Sequence, residues 1–518
     1  MAQAAQSPPG APAESRGAQA RERLARVPGA VWVVAIALAT WLIQPAAFPS
    51  YDYAFALSAG QDLLAGRETG YAVPIYSPVA HPLTIVVATL GVLTGAPLAA
   101  YTAWSLLGFG LLVWATARLG TAAGGWPVGL LGALAVAVSP VVFELGTRGY
   151  GDVMFAGLVL WATLIEARRD RAGWPVLALL AVGGLIRPEA WVLAAGYWVY
   201  LVISPGPDAT RRSRLPLIGL VLVAPALWLL NDLIVSGDPL HSSSDAAAYA
   251  DDSGRGLTLA TLADETWSAL DAFSGVALLA GALVGLAFAI AMRARVRFAI
   301  VVATVATLIA ALGPATLMSA VLFRRFLAPS AALLALLWAL AIAGFVRLRS
   351  PRERIGWGLA ALAVALATLA LAPDRIDHLL RDTDAQAVKV GQIDRLEAFV
   401  GADPARRVLA TPACRPIYVP GYGFRPYLRL WLDVPARDVA FTFLDPAPAR
   451  GSILLPTPAG DYQRLNLDGL GRTVRARVLA TPAFRRTYRR VAADPAWDLY
   501  AGPACRASAA RPQEPARG

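Results

Sequence analysis

Residues 30–48, AVWVVAIALATWLIQPAAF, hold nineteen positions without a charge, and they lead almost directly into YDYAFALSAGQDLLAG at 51–66, where Asp52 is the first acid after them. A helix needs about twenty apolar residues to cross the hydrocarbon core of a bilayer. The first stretch therefore reads as a membrane span, and Asp52 as an acid placed where the chain leaves the lipid. Apolar runs of similar length recur along all 518 residues, with 57% hydrophobic and 16% charged positions, the composition of a multipass membrane protein.

The formal charge of +11 is almost entirely arginine, since Lys389 is the only lysine. The arginines sit mostly in short links between apolar runs, where they orient a membrane protein; nucleic-acid recognition would gather them on a folded soluble face, and it is excluded. Residues 1–29 lack periodicity and read as a disordered cytoplasmic tail. The run that follows is too long for a removed signal peptide and has no clear small-residue cleavage site, so it is a retained anchor.

Candidate spans are 30–48, 98–117, 127–143, 153–167, 174–186, 190–203, 215–235, 272–292, 298–322, 326–346 and 355–373. Arginine clusters at 21–26, 168–171, 211–214, 293–297 and 347–354 all belong on the cytoplasmic side, which fixes the parity. A further apolar stretch, 82–95, would invert most of them if it crossed, so it is expected along the outer interface. Between two cytoplasmic clusters, 174–203 must cross twice, breaking at Arg187-Pro188-Glu189, where proline cannot donate to a helix ladder. Arg187 and Glu189 are too costly to leave bare near mid-bilayer, so they border a polar cavity or pair with each other. Eleven crossings from a cytoplasmic N terminus give an all-α polytopic membrane domain over 30–373 and an extracytoplasmic α/β domain over 374–518.

This topology collects ionisable residues on one rim: Asp52, Asp62, Arg67, Glu68 and His81, then Glu144, Arg148 and Asp152, then Arg187, Glu189, Asp232, Asp238, His241 and Asp245, and last Arg324 and Arg325. Orientation rules leave few arginines outside, so those present point to an anionic ligand. The fork of Arg324 and Arg325 suits a phosphate, of a bound ligand or of lipid headgroups in general. There is no zinc-ligand spacing, phosphate-binding glycine loop or nucleophile elbow. A proton-coupled transporter would bury acids near the bilayer centre, where this chain has almost none.

These landmarks resemble the polyprenol-dependent membrane glycosyltransferases of the GT-C fold, a group that includes protein O-mannosyltransferases, the aminoarabinose transferase of lipid A and actinobacterial mannosyl- and arabinosyltransferases. Asp52 follows the first span and precedes SAGQDLLAGRETGY, ending at Tyr71; His81-Pro82-Leu83 opens the short apolar segment; Ser139-Pro140 precedes Asp152. LIRPEA at 185–190, LNDLIVSGDPLHS at 230–242 and FRRFLAP at 323–329 match later landmarks, so the likeness spans about 30–346. The resemblance implies transfer of a sugar from a polyprenyl-phosphate donor to an acceptor hydroxyl of a cell-envelope glycan, lipid or protein at the outer face of the plasma membrane. It implies Asp52 as catalytic base, Glu144 and Asp152 as second-loop acids, and Arg187, Arg324 and Arg325 on the donor phosphate. His81, Glu189, Asp238 and His241 become pocket candidates. Members of the group sometimes place a divalent metal, Mg2+ or Mn2+, on the first-loop acid, with Glu144 or Asp152 as partner here. Many members have two adjacent acids where this chain has Tyr51 and Tyr53 flanking a single Asp52. Asp52 can alternatively cap the helix it opens. The rival functions are a transporter or flippase of a lipid-linked glycan and an inactive scaffold of envelope assembly.

In the last 145 residues, 374–400 has helical spacing, and RVLA, YLRLWL, DVAFTFL and SILLP read as short strands between Pro/Gly turns. Cys414 and Cys505, in an oxidising compartment, are disulfide candidates. RVLATPACRPIY at 407–418 and RVLATPAFRRTY at 477–488 share nine of twelve residues, which suggests paired strands.

Overall fold

The computed structural model describes residues 27–44, 49–72, 78–206, 209–253, 256–292, 294–317, 320–441, 450–457 and 470–509. Most of the expected tail, with Arg21, Arg23 and Arg26, lies outside them, as does Arg293.

The described chain is mainly helical: α1 (Gly29–Ile43), α2 (Tyr51–Leu64), α3 (Pro82–Leu93), α4 (Pro97–Gly124), α5 (Trp126–Ala137), α6 (Pro140–Thr147), α7 (Gly151–Arg168), α8 (Trp174–Gly184), α9 (Glu189–Ile203), α10 (Ile218–Ser236), α11 (His241–Ser253), α12 (Leu262–Ala291), α13 (Arg295–Leu317), α14 (Ala328–Ala343) and α15 (Pro351–Gly401). Several open on proline at the first or second helical position, where its missing N–H costs nothing and its fixed φ is already helical. Among the described residues six helices are long and apolar enough by themselves to cross a membrane, and α5 with α6, bent by 69°, makes a seventh if the pair is one broken span. The remaining expected spans fall on α1, α7, α8 and α9, and the stretch expected at the interface is the twelve-residue α3.

Helix α14 is the centre of the bundle, buried on nearly every side against α4, α5, α12, α13 and α15. Small residues let the backbones close in, as lipid-embedded helices require in the absence of a hydrophobic force between them. Gly285 of α12 is one such contact, since a Cβ there would lie 1.7 Å from the Leu337 carbonyl oxygen. At one end of the bundle the arginine-bearing links knit together: Arg171 donates to the Ser204 carbonyl (2.6 Å), Arg214 to that of Arg171 (3.2 Å) and Arg295 to that of Glu166 (2.8 Å).

The proposed boundary at 373/374 falls inside α15. This 51-residue helix passes through Pro373 and runs, at about 1.5 Å per residue, roughly 75 Å from the bundle into the C-terminal part. There α16 (Ala405–Ala410), α17 (Arg425–Leu432), α18 (Leu470–Ala480) and α19 (Pro482–Thr487) pack on a five-stranded sheet. Its strands are β1 (Ile417–Val419), β2 (Val439–Phe441), β3 (Ser452–Pro456), β4 (Arg489–Ala493) and β5 (Trp497–Ala501), in the order β2-β1-β3-β5-β4. β1 is parallel to β2 and β3, whereas β5 is antiparallel to β3 and β4.

The fold differs from the sequence expectations in two places. YLRLWL, which alternates like a strand, is the helix α17: Pro426 sits in its first turn, Asp433 ends it in the left-handed region, and Tyr427, Leu428 and Trp431 share one face. Both copies of RVLATPA are helical, each followed by a short helical turn and then a strand, and those strands, β1 and β4, are not neighbours. The repeat is a helix-and-turn entry into a strand, used twice. Cys414 and Cys505 are joined in a disulfide across 91 residues, within the core that includes Ile417, Leu499 and Ala501.

Candidate active site

Asp52 lies in the first turn of α2 but does not cap it. The cap is Ser50, whose Oγ accepts from the Tyr53 N–H at 3.2 Å, leaving the Asp52 carboxylate for another partner. That partner is Arg325, whose Nη1 donates to Asp52 Oδ2 at 2.6 Å. The pair joins positions 273 apart in sequence, and both side chains remain just under one-fifth exposed. Burial would raise the Asp52 carboxyl, but Arg325, with Arg187 behind it, outweighs it and holds the acid below its ordinary value.

The turn before α7 is braced against α2 and α4. The Arg148 carbonyl accepts from the Ser50 N–H (2.7 Å), Tyr101 donates to the Thr147 carbonyl (2.6 Å), and Ser105 Oγ accepts from the Gly149 N–H (2.9 Å). Gly149 has φ +74°, and a Cβ there would sit 2.4 Å from the Tyr101 ring, so glycine alone fits. This turn presents Glu144, Arg148, Tyr150 and Asp152 on the side of Asp52.

The break between α8 and α9 supplies Arg187, which donates to both oxygens of Glu189 (2.6 and 3.1 Å), lies 3.5 Å from Asp152 and stacks on the Phe326 ring at 3.9 Å. Both possibilities drawn from its sequence context therefore hold: it pairs with Glu189 and it lines a polar cavity. That cavity, about 470 Å3, is lined by Asp52, His81, Glu144, Arg148, Arg187 and Arg325 among others, with Arg324 and Asp245. His81 is pushed down to about 3, first by burial and then by the charge of Arg187, so its ring is neutral at pH 7. Asp152 meets Asp52, His81 and Arg187 around a narrow recess at the cavity floor.

Two pocket candidates stand elsewhere. Asp238 is exposed and accepts from the Leu240 N–H (2.9 Å), closing the turn before α11. His241 approaches Asp245 (3.4 Å) from behind, and only Asp245 lines the cavity. The Mg2+ or Mn2+ site is not supported by the geometry: among the described residues no three His, Cys, Asp or Glu side chains converge. Asp52, Asp152 and Glu144 are each answered by a guanidinium instead, and this donor set does not fit a hard cation that wants an oxygen cage.

The C-terminal part supplies a cavity wall that the sequence did not reveal: Ile393, Phe424 and Tyr427. Tyr427 is fixed by donating to the Pro49 carbonyl, 378 residues away. Only Lys389, as the chain's single lysine, carried a signal in this region, and it acts electrostatically on Glu144.

No protein-family model matches the sequence, and no curated protein matches it. Solved structures do. ArnT from Cupriavidus metallidurans, in a crystal structure bound to undecaprenyl phosphate, superposes with a TM-score of 0.55 at 15% identity, covering 91% of this chain and 99% of that one. Its apo crystal structure gives 0.51, also at 15% identity, with coverage of 91% and 98%. The Archaeoglobus fulgidus oligosaccharyltransferase is a remoter likeness, with a TM-score of 0.46 and 13% identity over 80% of this chain and 63% of that one. The chain is a membrane protein with the GT-C fold seen in ArnT, a polytopic helical domain followed by a C-terminal domain.

Proposed function

We propose that the protein transfers a sugar from a polyprenyl-phosphate donor to an acceptor hydroxyl of the cell envelope. One observation carries this reading: in a fold shared with a protein crystallised with undecaprenyl phosphate, an aspartate and paired arginines face one cavity. Its arginine-bearing links gather at one end of the bundle, which supports a cytoplasmic placing of that end and an extracytoplasmic cavity.

The chemistry follows from what each group can do. The acceptor oxygen attacks the anomeric carbon, the bond from that carbon to the phosphate oxygen breaks, and the hydroxyl proton passes to Asp52. Phosphate leaves without protonation, so the enzyme supplies positive charge rather than a general acid. Arg324 and Arg325 supply it from the start of the α14 segment. Arg187 is already matched by Glu189 and Asp152 and serves to hold them. In the resting site Arg325 weakens Asp52 as a base. Phosphate competes for the Arg325 fork, and Asp52 regains basicity when donor and acceptor are both in place.

The test is transfer in membranes supplied with a labelled undecaprenyl-phosphate sugar and an envelope extract. Asp52→Asn should abolish labelling of the acceptor while the protein still folds; unchanged labelling removes Asp52 from the mechanism. Movement of the intact labelled lipid across the bilayer without transfer places the protein among transporters instead.

A further inference from the structure

The charges of the cavity are unevenly matched. At its floor Arg187 and Arg325 face Asp52, Asp152 and Glu189, and with His81 neutral every cation there has a carboxylate. At the other end Glu144 is held between two cations. Its Oε1 accepts from Arg148 Nη1 at 2.7 Å and its Oε2 from Arg324 Nη2 at 3.1 Å, so one carboxylate bridges two guanidinium groups that both line the cavity.

A third cation comes from a distant part of the chain. Gln386 of α15 accepts from Thr147 Oγ1 (3.3 Å), which seats α15 on the turn carrying Glu144 and Arg148; Lys389 follows three residues later, nearly one helical turn. Lys389 is half-buried and forms no ion pair among the described residues, yet Arg148, Glu144, Asp382 and Arg324 all act on it. Burial and then Arg148 pull its ammonium below the ordinary lysine value, as happens to a cation held among cations. Arg148 and Arg324, both on the wall of the cavity of about 470 Å3, share the one carboxylate of Glu144, and Lys389 acts on that same carboxylate, a local surplus of positive charge suited to an anion more highly charged than a carboxylate.

Resting on the donor reading above, we propose that Arg148 and Lys389 extend the Arg324–Arg325 seat of the donor phosphate, and that Glu144 is a built-in stand-in for the phosphate, which displaces it on binding. Glu144 then has a role opposite to that of an acid which binds or activates substrate: it keeps the cations apart and ordered while the cavity is empty, and it competes with the ligand. The seat also ties donor binding to the C-terminal part, because Lys389 belongs to the helix that joins the two.

The full chain in nanodiscs, titrated with undecaprenyl phosphate, distinguishes these roles by sign. Glu144→Gln should tighten binding by about threefold or more, and Lys389→Met should loosen it by a similar factor, the scale expected of a partly exposed ion pair. Lys389→Arg keeps the charge and should bind like wild type, which separates loss of the cation from a folding defect. Undecaprenol, which lacks the phosphate, should bind all forms alike. Weaker or unchanged undecaprenyl phosphate binding by Glu144→Gln overturns the stand-in role while leaving the glycosyltransferase reading intact. Equal shifts with phosphatidylglycerol assign the seat to lipid headgroups and overturn its link to the donor. A wild-type protein that binds no undecaprenyl phosphate overturns the seat and the donor reading together.

Discussion

Helix α2 carries two acids ten residues apart, and each meets arginine, yet they do different work. Asp62, at 1% exposure, is locked between Arg67 (3.0 Å) and Arg429 of α17, and Arg67 continues to Asp433 (2.6 Å). Asp52, at 18% exposure, meets Arg325 on the wall of an open cavity. Burial dominates at Asp62 and lifts its carboxyl above the ordinary value despite two guanidinium groups, whereas at Asp52 the cations outweigh burial. The same residue pair is a clamp where the surroundings close over it and a reactive site where a cavity reaches it. The clamp holds the C-terminal part on the very helix that presents Asp52, so one element serves docking and chemistry at opposite ends.

Breaking the clamp should have the largest effect on stability. Asp62→Ala leaves the Arg429 guanidinium buried without its counter-ion, at a cost of about 3–5 kcal/mol, visible as an early unfolding transition or release of the C-terminal part in limited proteolysis. The matching change at the other end, Asp52→Asn, should lower transfer by about 10²–10⁴-fold, the range of a general base, and shift the unfolding midpoint only slightly. If Asp52→Asn destabilises as much as Asp62→Ala, the contrast between the two acids collapses.

Smaller changes sharpen the comparison. Tyr427→Phe removes the hydrogen bond to the Pro49 carbonyl but keeps the ring on the cavity wall. It should cost about 1 kcal/mol in unfolding free energy. It should also raise the KM for acceptor more than it lowers kcat. The effect of pH is small at each unit and accumulates over several. The folded-state value of His81 lies below its ordinary 6.5, so the unfolded chain binds the proton more tightly, and stability falls as pH drops from about 6.5 toward 3, by at most about 1.4 kcal/mol per unit. Asp52 acts in the same direction but further down: its pairing stabilises above the ordinary carboxylate value and is lost as pH falls through its depressed one. His81→Asn should flatten the upper part of that slope in thermal melts run between pH 7 and 4.

Much of this architecture is legible in the sequence because the bilayer imposes length. Eleven apolar stretches locate the helices, and the break at Arg187-Pro188-Glu189 shows itself through proline and buried charge. Asp52, Arg187, Arg324 and Arg325 stand out because charge at a span's edge is conspicuous. What stayed hidden is long-range or local in ways composition does not record. Ser50, two residues before Asp52, caps α2; alternation in YLRLWL imitates a strand; and the Tyr427 wall meets Pro49 across 378 residues. Asp238 and His241 share the rim with the site in sequence order, but the turn before α11 points their chemistry elsewhere.

The central claim is that the cavity beside Asp52 holds a polyprenyl-phosphate sugar, and mass spectrometry of lipids copurifying with the protein tests it most directly. The wild-type protein should carry a lipid whose fragments give a polyprenyl phosphate and a sugar, and Arg324→Met with Arg325→Met should lose it while retaining bulk phospholipid. Recovery of bulk phospholipid alone from the wild-type protein, with none of the sugar-bearing lipid, would contradict the claim.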